Sequence, residues 1–376
     1  MNILHILRAP IGGLFRHARD LAEQQVAMGH NVGFVTAIPA DSPYVAKTFA
    51  DIEPKLSFGI HKLNISRMPS LLDFKNLTAI SQIVIDNDID IIHGHGAKGG
   101  AYTRLIKKRH LKTATSAPKT FYTLHGGTLH YSPKSPVGFV FLKLEKYLQK
   151  YTDGFIFESK KSQQVFEIKI DKLYKPFKTI HNGLKASEFY QTKLAVDAAD
   201  FLYIGELRML KGVDLLIDAF AKLCHAKVIK RQLTLIIIGY GPDAKKFKQQ
   251  VAKLNIAANV VFMPPMPAGE AFKLAKVQVM PSRAEGLPYM ILETIAAKMP
   301  LIAANVGGIP EIYAEHTDLL FEPEDTGQLF DYMRATIVPK RRSIHLENVD
   351  ILQKSIQKSF NVEDMAAQIT QFYDQV

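Results

Sequence analysis

Short apolar runs of strand length alternate with longer amphipathic stretches along almost the whole chain, and that alternation leaves few folds open. Strands that take turns with helical segments pair in parallel, and the helices between them cover both faces of the sheet. In the first half the expected strands are Ile3–Leu7, Val32–Thr36, Ile89–His93, Thr120–Leu124, Gly154–Glu158 and Thr179–His181. In the second half they are Phe201–Ile204, Thr234–Ile238, Val260–Met263, Val277–Met280, Leu301–Ala304 and Leu319–Phe321. A chain of 376 residues exceeds one ordinary core. The expected architecture is therefore α/β with two Rossmann-like, doubly wound domains. The boundary falls in IHNGLKASEFYQTK, giving residues 1–188 and 189–357 as the main bodies. The halves share a pattern and no visible sequence repeat.

Several function classes fall away at this stage. Cys224 is the only cysteine, which removes an internal disulfide and any cysteine-built metal site. The apolar runs stop short of the roughly 20 residues that a membrane-spanning helix needs. MNILHILRAP reads as a first strand rather than a signal peptide, so a cytoplasmic protein is expected. The net charge of +11 is unevenly spread: residues 1–190 hold 26 Lys+Arg against 15 Asp+Glu, and the remainder holds 21 against 21. The excess gathers in RLIKKRHLK (Arg104 to Lys112) and between Lys143 and Lys185. Zinc-finger spacing, a helix-turn-helix pattern and aromatic RNA-binding strands are all missing, so nucleic acid is not the expected partner. Pro136 to Tyr151 instead interleaves Phe139, Phe141, Leu142, Leu144, Tyr147 and Leu148 with Lys143, Lys146 and Lys150. That mixture suits peripheral contact with an anionic membrane surface, where each nearby cation is worth about 1 kcal/mol.

Residues 281–312, PSRAEGLPYMILETIAAKMPLIAANVGGIPEI, carry the most chemistry. Glu285 and Gly286 sit in a strand-to-helix turn, and Pro288 suits the first position of the helix that follows. Glu293 lies one to two turns further on, in a helix apolar enough to be buried nearly all round. A carboxylate there is expected to need a strong partner, because a buried unpaired charge costs several kcal/mol. Gly286 and Leu287 lie where the positive end of the helix dipole attracts a diphosphate. The two glutamates, seven residues between them, resemble the paired-glutamate motif of the family 4 retaining glycosyltransferases of GT-B architecture.

Other segments agree with that resemblance. In FLYIGELRMLKGVDLLIDAF, Gly205 opens the turn after a strand and Lys211-Gly212 matches the family's lysine-glycine pair. The family places arginine directly after the first glycine. Glu206 stands there in this chain, so Arg208 is expected to take the arginine's part. IIIGYGPDAKKF resembles the family's Gly-x-Gly-Pro turn, with Gly239 and Gly241 expected to let backbone approach the nucleotide. VGGIPEI is explained by helix capping. The Gly12-Gly13 turn lacks the dinucleotide spacing and is expected to lie close to the donor sugar and acceptor. The helix after it is read as a plain core helix with Leu14, Ala18, Leu21, Gln25 and Val26 inward. In TLHGG, His125 ends a strand, where open sheets collect active-site groups. The resemblance puts it against the transferred sugar. His93 and His95 in HGHGAKGG are expected on opposite strand faces and without a third ligand, hence as acceptor-side loop residues, and no metal site is expected. IHNG is read as a structural hinge-side turn.

Taken whole, the resemblance implies two domains facing across a cleft, with residues 358–376 returning to the first as a helix carrying Met365, Ile369 and Phe372 on one face. It implies transfer of a hexose-type unit from a nucleoside diphosphate sugar to an acceptor hydroxyl with retention, without a metal or other cofactor. Arg208 and Lys211 would hold the diphosphate, Glu285 the donor sugar, Gly286 and Leu287 the phosphate, and Glu293 the ribose. His125 would close the site from the first domain. The basic first half adds a lipid-linked or saccharide acceptor, as in surface polysaccharide or lipopolysaccharide assembly. The alternatives are a GT-B nucleotide-sugar epimerase and a non-catalytic basic scaffold that binds membrane or nucleic acid.

Overall fold

Parallel pairing of buried strands decides the architecture. The computed structural model describes residues 1–38, 43–113, 117–226, 231–337 and 339–376. The chain divides into two units, Met1–Gly183 with Val362–Val376, and Leu184–Asn361. In the first, β1 (Asn2–Ile6), β2 (Asn31–Ala37), β3 (Ile60–Leu63), β4 (Ile91–His95), β5 (Lys119–Thr123), β6 (Gly154–Phe157) and β7 (Phe177–Thr179) form one parallel sheet. Their spatial order is β3-β2-β1-β4-β5-β6-β7. In the second, β8 (Ala199–Ile204), β9 (Leu235–Ile238), β10 (Val260–Met263), β11 (Ala275–Met280) and β12 (Leu301–Ala303) pair in the order β10-β9-β8-β11-β12, again parallel. Strand order reverses between β1 and β4 in one sheet and between β8 and β11 in the other. Such reversal points leave a crevice at the carboxyl ends of the strands.

Burial on both faces explains why the strands read as continuous apolar runs. In the first unit, Ile3, Phe34, Ile91 and Phe121 face one side, where the helix Gly12–Ala27 packs with Phe15, Ala18 and Leu21. Leu4, Ile6, Val35 and Ile92 face the other, against Ile80, Tyr102 and Ile106. The terminal helix Val362–Gln375 belongs to the first unit and inserts Met365, Ile369, Phe372 and Tyr373 into the first of these layers, with the Phe121 ring centroid 4.5 Å from that of Tyr373.

One strand was not expected, and one expected strand does not form. β3 is a short edge strand whose IHKL sequence has no apolar run to betray it. Leu319–Phe321 makes only an isolated bridge, Phe321 to Ala304, because the chain turns off again at once into Pro323. The observed β4 also starts two residues later than expected, which extends it through His95.

Candidate active site

The reversal point of the second sheet brings together the segments that follow β8 and β11. After β8, Met209–Lys211 forms one 3-10 turn, and Gly212, with φ of 69°, caps the helix Val213–His225. A methyl group at Gly212 would stand 1.8 Å from the carbonyl oxygen of Pro281, so only glycine lets this turn lie against the end of β11. The close approach puts Lys211 on Glu285: Nζ lies 2.7 Å from Oε1 and 2.7 Å from Oε2. The Ser282 hydroxyl donates to Oε1 at 2.6 Å. Glu285 is 6% exposed along its side chain and Lys211 25%, so the carboxylate is sunk and the ammonium reaches outward. Arg208 precedes the turn, half-buried, and among the described residues its guanidinium has no partner. Glu206 points into solvent.

Arg283 locks this arrangement. Its guanidinium donates to both oxygens of Asp214 at 2.7 and 2.8 Å, to the Met209 carbonyl at 2.5 Å and to Glu324 at 2.8 Å. One side chain thus ties the β11 turn to the Lys211 turn and the helix behind it, and sequence reading passed over it because an arginine in a loop has no pattern. On the other flank, Gly307 (φ 58°) leaves room for the Glu285 backbone, whose carbonyl oxygen would lie 2.0 Å from a methyl group there. The Gly308 amide donates to the Gly286 carbonyl at 2.6 Å. The VGG turn does more than cap a helix: it props the Glu285-Gly286 peptide.

Two expectations need correction here. Pro288 is the N-cap of the helix Tyr289–Ala296, with extended ψ of 123°, rather than its first residue. That helix is not buried all round, for Met290 and Glu293 form a half-exposed edge. Glu293 therefore does not carry the penalty of a fully buried charge. At Gly239 and Gly241 the Cβ positions are taken up by protein backbone. Methyl groups there would meet the Gly205 carbonyl oxygen at 1.9 Å and the Leu207 carbonyl oxygen at 2.3 Å. These glycines let the β9 loop zip onto the β8 loop, where the Leu207 amide donates to the Tyr240 carbonyl and the Asp243 amide to the Leu207 carbonyl.

In the first unit the reversal point is filled with histidine. His5 and His93 are register partners on β1 and β4, His95 follows two residues on, and His125 stands just past β5. His93 and His95 share a face, since residues two apart on a strand point the same way. Their ring centroids are 4.1 Å apart, which overturns the opposite-face expectation. His17 reaches in from the helix Gly12–Ala27, so that helix is more than a plain core helix. The rings form a chain: Gln25 Oε1 to His5 Nε2 at 2.8 Å, His5 Nδ1 to His95 Nε2 at 2.9 Å, His95 Nδ1 to His125 Nε2 at 3.2 Å. His93 bridges Tyr373 and Thr123, and His17 Nδ1 donates to Asn182 of the IHNG turn at 2.9 Å.

Burial lowers the pKa of His5 and of His17 to about 4, and burial followed by mutual repulsion holds His93 and His95 well below the imidazole range. His125 is lowered in the same way, though it alone of the five keeps partial exposure. Its φ of 50° is left-handed, and the Glu158 carboxylate fixes the turn by accepting from the Gly126 amide at 3.1 Å. All five rings are neutral at pH 7. Gly12 and Gly13 begin the helix that supplies His17 and are exposed, with open space around Gly12.

The basic stretches sort differently from their sequence. Arg104 is fully buried, donating to Glu145 at 2.7 Å over the Tyr122 ring, and so contributes nothing to a surface patch. The helix Pro136–Leu148 buries Gly138, Leu142, Glu145 and Leu148 and exposes Phe139, Val140, Leu144 and Tyr147 beside Lys143 and Lys146. No helix among the described residues is long and apolar enough to cross a membrane.

Comparison with known proteins bears on both units. A family model described as Glycosyltransferase Family 4 matches residues 11–188, and one described as Glycosyl transferases group 1 matches residues 185–338. N-acetyl-alpha-D-glucosaminyl L-malate synthase of Bacillus anthracis is 23% identical over 97% of this chain and 94% of its own length. "Putative glycosyltransferase EpsD" of Bacillus subtilis (strain 168) is 30% identical over 70% of this chain and 72% of its own. Among solved structures, Anabaena HepE in complex with UDP-glucose aligns with a TM-score of 0.81 at 17% identity, covering 100% of both chains.

Proposed function

This chain belongs to the family 4 glycosyltransferases, enzymes of the GT-B fold, and we propose that it moves a hexose-type unit from a nucleoside diphosphate sugar to an acceptor hydroxyl with retention at the anomeric carbon. One observation carries this reading: Lys211 and Glu285, 74 positions apart, meet as an ion pair at the strand-order reversal of the second sheet. A lysine ammonium has three donors, and two engaged on Glu285 leave one for a phosphate oxygen. Arg208, unpartnered among the described residues and half-buried beside the same turn, supplies the second positive charge. Glu285 receives hydroxyls of the donor sugar. Gly286 and Leu287, at the N-terminal end of the helix Tyr289–Ala296, face phosphate, and the half-exposed Glu293 takes the ribose hydroxyls.

The reaction forms the bond from the acceptor oxygen to the anomeric carbon on the face from which the phosphate departs. The acceptor proton passes to the departing phosphate oxygen. Arg208 and Lys211 stabilise the negative charge that builds on that leaving group, and such stabilisation supplies much of a lowered barrier. His125, neutral, serves the sugar as a hydrogen-bond partner rather than as a charged acid. Proton NMR of the product tests the stereochemistry: the anomeric configuration of the donor is expected in the product, and an inverted one sinks the reading.

The acceptor is proposed to be lipid-linked or a membrane-borne saccharide of surface polysaccharide or lipopolysaccharide assembly, with the protein peripheral on the cytoplasmic face. The outer face of Pro136–Leu148 supports this, because apolar and cationic side chains alternate on it. Sedimentation with liposomes is expected to rise with anionic lipid and fall with salt, whereas binding indifferent to both removes the membrane. Epimerisation of the donor is separated by incubating donor without acceptor, which is expected to leave the sugar's configuration unchanged.

A further inference from the structure

We propose that the histidine cluster of the first unit is a site for a borderline divalent cation of the Zn²⁺, Co²⁺ or Ni²⁺ class, held by His17, His95 and His125. One ring nitrogen from each lies within 4.8 Å of the other two. Hydrogen bonds fix which nitrogen each ring offers. Asn182 Oδ1 accepts the Nδ1 proton of His17, which leaves the Nε2 lone pair of a fully buried ring without a partner among the described residues. Gln25 Oε1 accepts the Nε2 proton of His5, so His5 Nδ1 accepts the Nε2 proton of His95, and the Nδ1 lone pair of His95 is left to face His125. Both ligands thus have their second nitrogen held by an outer acceptor, the arrangement that orients metal-binding imidazoles.

Spacing and chemistry agree. Two tetrahedral zinc–nitrogen bonds of about 2.0–2.1 Å set their ligand atoms about 3.3–3.4 Å apart. His95 Nδ1 and His125 Nε2 already stand at 3.2 Å, and His17 closes the remainder by ring rotation. Without a cation, a proton on His125 Nε2 occupies the His95 lone pair. On binding, that proton is carried on His125 Nδ1 instead, so all three rings stay neutral and no net proton is released. Three imidazoles suit this group of metals. They leave a fourth position for an oxygen donor, water or a hydroxyl, on the side of His125, the one ligand with partial exposure. The neighbouring set His5, His93 and His95 is the support and not the site: His5 and His93 have both nitrogens engaged. This inference goes beyond the proposed function and shares His125 with it, and cation binding is read without donor, acceptor or activity.

Tag-free full-length protein, stripped with a chelator, tests it by titration with Co²⁺ and Zn²⁺. The expected result is one equivalent bound, visible Co²⁺ absorption of a low-coordinate nitrogen site, and an unfolding temperature raised by several degrees with Zn²⁺. His125→Ala, at the exposed end and so tolerant of substitution, is expected to weaken binding at least tenfold, while His30→Ala leaves it unchanged. The inference is overturned if the stripped protein takes up no cation, the cluster then holding water alone. It is equally overturned if His125→Ala binds with the same affinity and spectrum.

Discussion

The carboxyl ends of β8 and β11 carry a lysine, an arginine and a glutamate, whereas those of β1, β4 and β5 carry four histidines and receive a fifth from the adjacent helix. Both groups sit where strand order reverses, so topology gives each the same crevice. What fills it differs in kind. The second unit keeps full charges at its crevice, one sunk and one reaching outward, ready to meet a charged ligand. The first keeps neutral rings in a buried hydrogen-bonded chain, which suits orientation of uncharged groups and lone pairs. A glycosyl transfer needs both kinds of environment, charge for the leaving group and neutral polar groups for hydroxyls.

Substitution separates the two regions most sharply at Lys211. Lys211→Ala is expected to reduce transfer by about 10²–10³-fold, the usual cost of losing one donor to a developing negative charge. Its circular dichroism should change little while its melting temperature falls, because the sunk Glu285 loses its partner, and full activity would break the contrast. Acid should do the reverse, striking the first unit. His5 and His17 have folded pKa values of about 4 against 6.5 unfolded, so the unfolded chain binds the extra protons. Their contribution to stability is therefore complete above pH 6.5 and is lost as pH falls toward 4, by about 3 kcal/mol for each ring. Urea unfolding of chelator-treated protein between pH 7 and 4.5 reads this, and a flat profile would contradict burial of neutral rings.

How much of this was visible in the sequence follows the same divide. The glutamate spacing and the Lys211-Gly212 pair lie within short local motifs, and charged residues inside apolar stretches draw notice. The histidines came from segments as far apart as His5 and His125, and only parallel pairing lines them up. Each continues a column of inward positions, Ile3 to His5, Ile91 to His93 and His95, Phe121 to Thr123 and then His125. Counting inward positions strand by strand would have found them, and the mistaken opposite-face assignment hid the pair that starts the column. The loop-to-loop packing of Gly239, Gly241 and Gly307 was out of reach, because a glycine's reason is the neighbour it admits.

Smaller effects sharpen the comparison within the second unit. Gly307→Ala forces a side chain into left-handed backbone and against the Glu285 carbonyl, so a loss of about 1–3 kcal/mol in stability is expected, with weakened donor binding. Unchanged stability would mean that the turn does not prop Glu285. Arg208→Ala is expected to lower transfer about tenfold, as for one lost charge-assisted hydrogen bond. Glu206→Ala, at a fully solvated position, should stay within about twofold of the parent. The reverse ranking would remove Arg208 from the diphosphate site.

Calorimetric titration of UDP, and of GDP and ADP should UDP fail, into the wild-type protein and the Lys211→Ala and Glu293→Gln variants tests the donor site most directly. Saturable binding of one nucleoside diphosphate by the wild type, weakened at least tenfold in both variants with the fold intact, is the expected result. Equal affinity in all three proteins, or no affinity for any of the nucleotides, would contradict the assignment of the Lys211–Glu285 crevice to the donor.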